Sequence, residues 1–483
     1  MNNENMKGKV LSGLFWKLME NGGVQGVQLL VSILLARILD PEEYGVVALL
    51  TTFIAIANVF IQQGFQTALI QKPNADETDF SSVFWMNLGV GVLLYLVLFA
   101  AAPLIAAFYE TPELTGLLRV FSLVVLFGSV SAIENALVQR RMEFKHLFKS
   151  SLIAVVLSGV AGIAAALSGM GPMSLVLQQL TYQFLYMVVI VRSVGWFPKR
   201  LFDLGRVKTL FAFGWKLLCS ALIDTVYNNV YALVIGKIET KERLAYYDKG
   251  NLFPSVLVTN INGAIQQVML PALSESQNDR EKMRSMMRRS IVTSSYIMFA
   301  MMAGLIAVAE PLISLLLTDK WLPAVPFMRL LCLDYALWPF HTANLQAINA
   351  TGHSEIYLKL EIVKKSLGIL LMLLAIPHGI LVMVAMKPLS SLLSTVINAY
   401  PNGKLLHYSF IEQWRDVLPS ACLAAVMGVC VYLLQFLGLP ALLTIVLQIV
   451  VGVGLYVGLS ALFKLECFEY LLATVKETIK KHS

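Results

Sequence analysis

Two lysines sit where lysines are costly. Lys17 and Lys216 each lie about two turns, or about 10 Å at 1.5 Å per residue, inside a long apolar segment. A cation there must snorkel, pair with an acid or line a wet cavity. Each begins a polar stripe: Lys17, Asn21, Gln25, Gln28 and Ser32 in one segment, Lys216, Ser220, Asp224, Tyr227 and Tyr231 in the other. At about 100° per residue these positions fall on one face of a helix. Such a face can hold an anionic group on its lysines, and Glu20 or Asp224 could take and release a cation. Asn58, Gln62 and Gln66 extend the pattern at i, i+4, i+8. So do Lys249 with Asn251, Asn260, Asn262, Gln266 and Gln267, then Arg329, Asp334 and His341, then Lys387 before Pro388.

Each group also has a plainer reading. Lys17 can pair with Glu20 at i, i+3. Arg37 can pair with Asp40, Glu42 or Glu43, and Lys249 with Asp248 or Glu242. His341 reads as a packing histidine, and Arg119 and Glu134 as boundary residues. Asp224 is harder to dismiss, because no basic residue lies one turn away from it.

No catalytic motif accompanies the stripes. The chain lacks the G-x-x-x-x-G-K-[ST] phosphate loop, G-x-S-x-G and H-E-x-x-H. Asp76-Glu77-Thr78-Asp79 has no second acidic or histidine cluster beside it and reads as a solvated loop, not a metal site. The expectation is therefore no enzyme, no metal and no cofactor. Cys219, Cys332, Cys422, Cys430 and Cys467 form no CxxC pair, and four of them lie in apolar runs.

The elements that position these groups must be membrane helices. The 483 residues are 57% hydrophobic and 14% charged, with a mean hydropathy of +0.71. Soluble chains run about 45–50% apolar and about 25% charged. Apolar segments alternate with short polar breaks at 10–38, 45–70, 82–107, 117–138, 151–168, 173–191 and 210–235. They continue at 248–273, 290–317, 327–349, 367–377, 379–400, 417–437 and 441–463. That is about 14 transmembrane helices in an all-α fold, the eleventh short. No removable signal peptide is read at the N-terminus.

Lysine and arginine orient them. With the N-terminus cytoplasmic, 26 basic residues fall in inside segments and 4 in outside loops. Both termini are then cytoplasmic in a multi-pass inner-membrane protein. The basic runs touch membrane lipids, and no nucleic acid is implied. The tail 464–483 reads as an amphipathic helix on the inner surface.

Phe15-Trp16-Lys17-Leu18 recurs as Gly214-Trp215-Lys216-Leu217, and the polar stripe follows at the same offset. An even number of spans separates the copies, so the repeat is parallel. The expected organisation is a lobe of spans 1–6 (1–200), a lobe of spans 7–12 (201–400), two appended spans (401–463) and the tail. The lobes face each other across a cationic cavity. Its substrate-binding candidates are Lys17, Asn21, Gln25, Gln28, Arg37, Gln62, Lys216, Tyr227 and Lys249, with Asp224 and Glu20 for ion coupling.

The stretches Leu35-Ala36-Arg37-Ile38-Leu39-Asp40-Pro41-Glu42-Glu43-Tyr44-Gly45 and Gly64-Phe65-Gln66-Thr67-Ala68-Leu69-Ile70-Gln71 resemble the first two spans of bacterial polysaccharide flippases. Trp16-Lys17 and Asp248-Lys249-Gly250 fit the same likeness. That family sits in the multidrug/oligosaccharidyl-lipid/polysaccharide exporter superfamily, and the likeness is to its lipopolysaccharide-biosynthesis and colanic-acid type. The resemblance implies alternating-access translocation of a polyprenyl-diphosphate-linked oligosaccharide from the inner to the outer leaflet. It implies cationic residues on the diphosphate, H+ or Na+ as candidate coupling ions, and polysaccharide-assembly proteins as candidate partners. It assigns no ligand set to this chain. An ion-coupled multidrug antiporter of the same superfamily stays open, although paired lysines oppose a cationic cargo. A membrane enzyme of polysaccharide synthesis is the remaining alternative.

Overall fold

A computed structural model describes residues 15–17, 19–63, 65–72, 74–276 and 279–482. Every regular element among them is helical. That is what a bilayer demands of an open chain, because lipid offers the backbone no hydrogen-bond partner.

Eleven helices are long and apolar enough to cross a membrane, by length and composition. They are α1 (Phe15–Ile38), α2 (Pro41–Gln71), α3 (Glu77–Phe108), α4 (Leu114–Arg141), α5 (Lys145–Leu167), α6 (Pro172–Val194) and α7 (Leu204–Ile238, apolar from Gly214). After α8 (Lys241–Glu275) come α9 (Arg280–Leu317), α10 (Val325–Ala336), α11 (Trp338–Ala350), α12 (Ser354–Ala375), α13 (Ile380–Leu405), α14 (Phe410–Leu433) and α15 (Ala441–Leu462). Of these, α9, α13, α14 and α15 complete the eleven, α14 being counted there through Leu437. A final helix, α16, covers Glu466–His482.

Helices occupy all fourteen expected segments, but three segments fail the apolar criterion. In α8 the polar residues dilute the apolar ones. The tenth segment is broken at Leu337 into helices of 12 and 13 residues, with Pro339 just inside the second. The eleventh corrects the sequence reading most. It is a 22-residue helix from Ser354, not a short span over 367–377. Lys359, Glu361, Lys364 and Lys365, read from sequence as an inside loop, lie on it.

The chain packs as two compact units, Met1–Ala245 and Tyr246–Ser483. The helix α7, which begins the second repeat copy in sequence, groups by packing with the first unit. Packing and internal repetition are different relations, and the division by contact does not decide the one by repeat.

In the first unit close helix approach explains particular glycines. A Cβ on Gly45 of α2 would overlap the Lys241 carbonyl, and one on Gly159 of α5 would overlap Val31 of α1. Small residues let membrane helices meet backbone to backbone. The acidic string is no solvated loop. Asp76 and Asp79 form the capping box of α3, Asp79 is wholly buried, and Lys72 Nζ reaches it at 2.7 Å. Arg206 of α7 hydrogen-bonds Asp76. Arg140 Nη1 donates to the Leu69 and Lys72 carbonyls at 3.0 and 2.6 Å. Two hydrogen bonds from Arg206 and the Asp79 backbone hold the Asp76 carboxyl down to about 2, the arginine's being the larger cause.

In the second unit α9, α11, α14, α15 and α16 share a core that includes Met287, Phe340, Val417, Tyr456 and Cys467. The tail is a helix, as its spacing predicts, and it is pinned to this unit. Cys467 is buried, Phe468 and Leu471 pack on the core, and Arg288 Nη2 meets Glu466 Oε2 at 3.0 Å.

Candidate functional site

The first unit carries most of the residues singled out in sequence. Lys17 is paired within its own helix, Nζ to Glu20 Oε2 at 2.8 Å. Glu20 opens a π-helical turn, Glu20–Val24, that includes Gly22 and Gly23. Such turns relax the helix ladder and recur at functional sites. The Asn21 side chain lies outside the described residues. Gln25 and Tyr227 are half-buried, while Gln28, Arg37, Gln62, Lys216 and Asp224 are exposed. Lys216 makes no hydrogen bond or ion pair among the described residues. Arg37 ends α1 one turn before the Asp40–Glu43 capping box of α2.

Sequence reasoning missed a polar cluster behind Glu20. The rings of Tyr182 and Tyr186 on α6 stack at 6.2 Å, within electrostatic reach of Glu20. Tyr186 donates to Asn135 on α4. Glu134, read as a boundary residue, is instead 1% exposed, and its Oε2 has no hydrogen-bond partner among the described residues. Its position near a loop concealed this, because burial depends on neighbours that are distant in sequence.

The second unit holds the larger charged interior. Lys249 of α8 is 4% exposed, with Asp248 opposing its charge. Lys387 Nζ of α13 donates to Tyr247 Oη at 2.7 Å and lies near Asp334 of α10. Tyr335 Oη donates to Asn251 Oδ1 at 2.8 Å. His341 is satisfied on both sides, Nδ1 by Asn398 at 3.0 Å and Nε2 by Ser391 at 2.9 Å. It is a packing histidine. Glu361 of α12 hydrogen-bonds Lys364 and pairs with Lys365 at 3.7 Å.

These arrangements can hold anions and exchange cations. Among the described residues no three His, Cys, Asp or Glu side chains gather as metal ligands.

Residues 34–326 match the polysaccharide biosynthesis protein family. The chain belongs to that family. It is 24% identical over 429 residues to the teichuronic acid biosynthesis protein TuaB of Bacillus subtilis (strain 168), covering 88% of each chain. It is 28% identical to the succinoglycan biosynthesis transport protein ExoT of Rhizobium meliloti (strain 1021), over 66% of this chain and 65% of that one. With the lipopolysaccharide biosynthesis protein WzxC of Escherichia coli (strain K12) it shares 24%, over 68% and 67%. Its fold is that of the lipid II flippase MurJ in an inward closed conformation, with a TM-score of 0.73 at 14% identity over 93% of this chain and 98% of that one. An inward-facing multidrug transporter of the MATE family shares the fold, with a TM-score of 0.60 at 14% identity over 84% and 98%. Family and helix content make this a multi-pass membrane protein of a polysaccharide biosynthesis family. Of these relatives, the succinoglycan protein is named as a transport protein.

Proposed function

We propose that this protein flips a polyprenyl-diphosphate-linked oligosaccharide from the inner to the outer leaflet of the bacterial cytoplasmic membrane by alternating access, for surface polysaccharide assembly. The observation that carries the reading is charge turned inward. Lys249 is 4% exposed on a membrane-length helix, and Lys387 lies beside Tyr247 within the same unit. Buried cations in a membrane protein are costly and mark substrate or ion paths. Lysines suit a diphosphate as compact point charges. They oppose a cationic drug, which disfavours the antiporter reading.

In this reading all fourteen helical segments span, both termini are cytoplasmic, and α1 and α7 begin a parallel repeat. Lys17 and Lys216 hold the diphosphate, with Asn21, Gln25, Gln28, Arg37, Gln62, Tyr227 and Lys249 lining its path. Glu20 and Asp224 exchange the coupling cation, H+ or Na+. The names of the transport and flippase relatives support the substrate class. The test is cellular. Deleting the gene should make lipid-linked oligosaccharide accumulate in the inner leaflet, and the wild-type chain should clear it. Normal export in the deletion strain, with no accumulation, would remove the reading.

A further inference from the structure

Glu134 is a buried acid that the transport reading leaves unused. It lies about two turns, or about 10 Å along the axis, from the Arg141 end of the membrane-length helix α4. It is 1% exposed, and its Oε2 has no hydrogen-bond partner among the described residues. Its own backbone N–H is the one donor that favours its charged form.

The surroundings supply polarity without a compensating cation. From α6 comes Tyr186, which is within electrostatic reach of Glu134 and donates to Asn135. Tyr182 stacks on Tyr186, and Glu20 of α1 acts on both rings. Gln183 of α6 lies 3.4 Å from Ser131 Oγ, and Asn87 of α3 donates to the Ser129 carbonyl at 3.3 Å; both are neutral. The charged groups at the ends of α2, α3, α4 and α7 are engaged elsewhere. Lys72 meets Asp79 at 2.7 Å, Arg206 hydrogen-bonds Asp76, and Arg140 donates to the Leu69 and Lys72 carbonyls. At the start of α5, Lys145 lies 5.5 Å from the centre of the Trp16 ring, and His146 and Lys149 follow. Among the described residues none of these cations acts on Glu134.

An ionised Glu134 would therefore be a buried charge with nothing to balance it. It would also place a second negative charge on the tyrosine that Glu20 already reaches. Lys17 balances Glu20 at 2.8 Å. Of the two acids, Glu134 is the one that stays neutral. A metal cation would want several oxygen ligands at once, and among the described residues no further acid joins Glu134 to share one. A proton needs neither a ligand shell nor a cavity.

We propose that Glu134 is a proton-binding site of the first unit, loaded in the conformation of this structure, with Tyr186 and Tyr182 linking it to Glu20. The inference rests on the flippase reading and names H+ as its coupling ion. As the helices around Glu134 part during alternating access, water reaches the carboxyl. Its O–H bond breaks, the proton passes to water and the carboxylate remains. Reprotonation from water on the opposite side of the membrane restores the starting state.

The test uses the full-length protein in liposomes and two readouts. In infrared difference spectra at neutral pH, wild type minus Glu134→Gln should show the C=O stretch of a protonated carboxyl. No such band overturns the bound proton. In translocation of a labelled polyprenyl-diphosphate oligosaccharide, an imposed pH gradient should speed the wild type. Glu134→Gln should lose that acceleration, running equally fast with and without the gradient, and Glu134→Asp should keep part of it. A purely structural carboxyl would alter yield or melting and leave the gradient response of the folded protein intact, which would overturn the inference. If Glu134→Gln does not fold, Glu134→Asp decides. The carboxyl band must then shift in frequency, because the acid meets different neighbours, and an unmoved band overturns the site. Acceleration of the wild type by a Na+ gradient and not by a pH gradient would overturn the inference and leave the flippase reading standing. A folded wild type that translocates nothing would contradict the flippase reading itself, while the infrared band still decides the proton.

Discussion

Lys17 and Glu20 hold each other across one turn of α1, Nζ to Oε2 at 2.8 Å, at the start of a π-helical turn. Under the proposed function, a diphosphate at Lys17 competes with that carboxylate, so an anion bound there releases Glu20 from the lysine.

This linkage makes the first prediction. The Lys17→Gln, Lys216→Gln double variant should insert normally and bind prenyl diphosphate at least ten-fold more weakly, since each lost charge-assisted hydrogen bond is worth about 1.5–3 kcal/mol. Lys17→Arg should lose less, because the charge is kept. Titration in nanodiscs measures it, and wild-type affinity in the double variant would end the lysine-clamp proposal.

The second prediction concerns packing. Gly45→Ala forces a methyl group into the Lys241 carbonyl. Overpacking of this kind costs about 1–3 kcal/mol. The purified variant should melt at lower temperature, and its yield should fall. An unchanged melting temperature would show that α2 and the start of α8 do not approach as described.

The third concerns pH. The Asp76 carboxyl is depressed from 3.8 to about 2, chiefly by its hydrogen bond from Arg206. A depressed acid stabilises the fold above its unfolded value, and that contribution is lost as pH falls through the folded one. The stability difference between wild type and Asp76→Asn should therefore be constant from pH 5 to 8 and shrink below about pH 4. A difference that changes near neutrality would contradict the assignment.

The fourth concerns topology. In a cysteine-free background, Arg141→Cys and Asp279→Cys should be shielded from impermeant thiol reagents in intact cells. Glu113→Cys and Thr240→Cys should label. The reverse pattern would invert the orientation.

The helical class, the membrane setting and the family likeness were legible because they depend on composition and on local pattern. The Arg37-to-Gly45 stretch carried the family likeness, whereas its capping box and the close-packed Gly45 came only with the structure. What was not legible depends on which side of a helix faces protein. Lys364 and Lys365 looked like loop residues because their charges lowered local hydropathy, and only the packing of α12 turns them inward. Glu134 looked peripheral because burial by α4 and its neighbours cannot be counted along the chain. The acidic string 76–79 looked solvated because its partner Arg206 lies about 130 residues away. Conversely, Lys17 does what its i, i+3 neighbour allows, and local spacing was enough to anticipate that pair.

The most direct measurement is translocation by the purified protein in liposomes, using a fluorescently labelled polyprenyl-diphosphate oligosaccharide and an impermeant quencher. The account predicts that label moves between leaflets only when the protein is present, faster with an imposed ion gradient, and that Asp224→Asn abolishes the gradient dependence while substrate still binds. Correctly folded protein that leaves the label in its starting leaflet, with or without a gradient, would contradict the account.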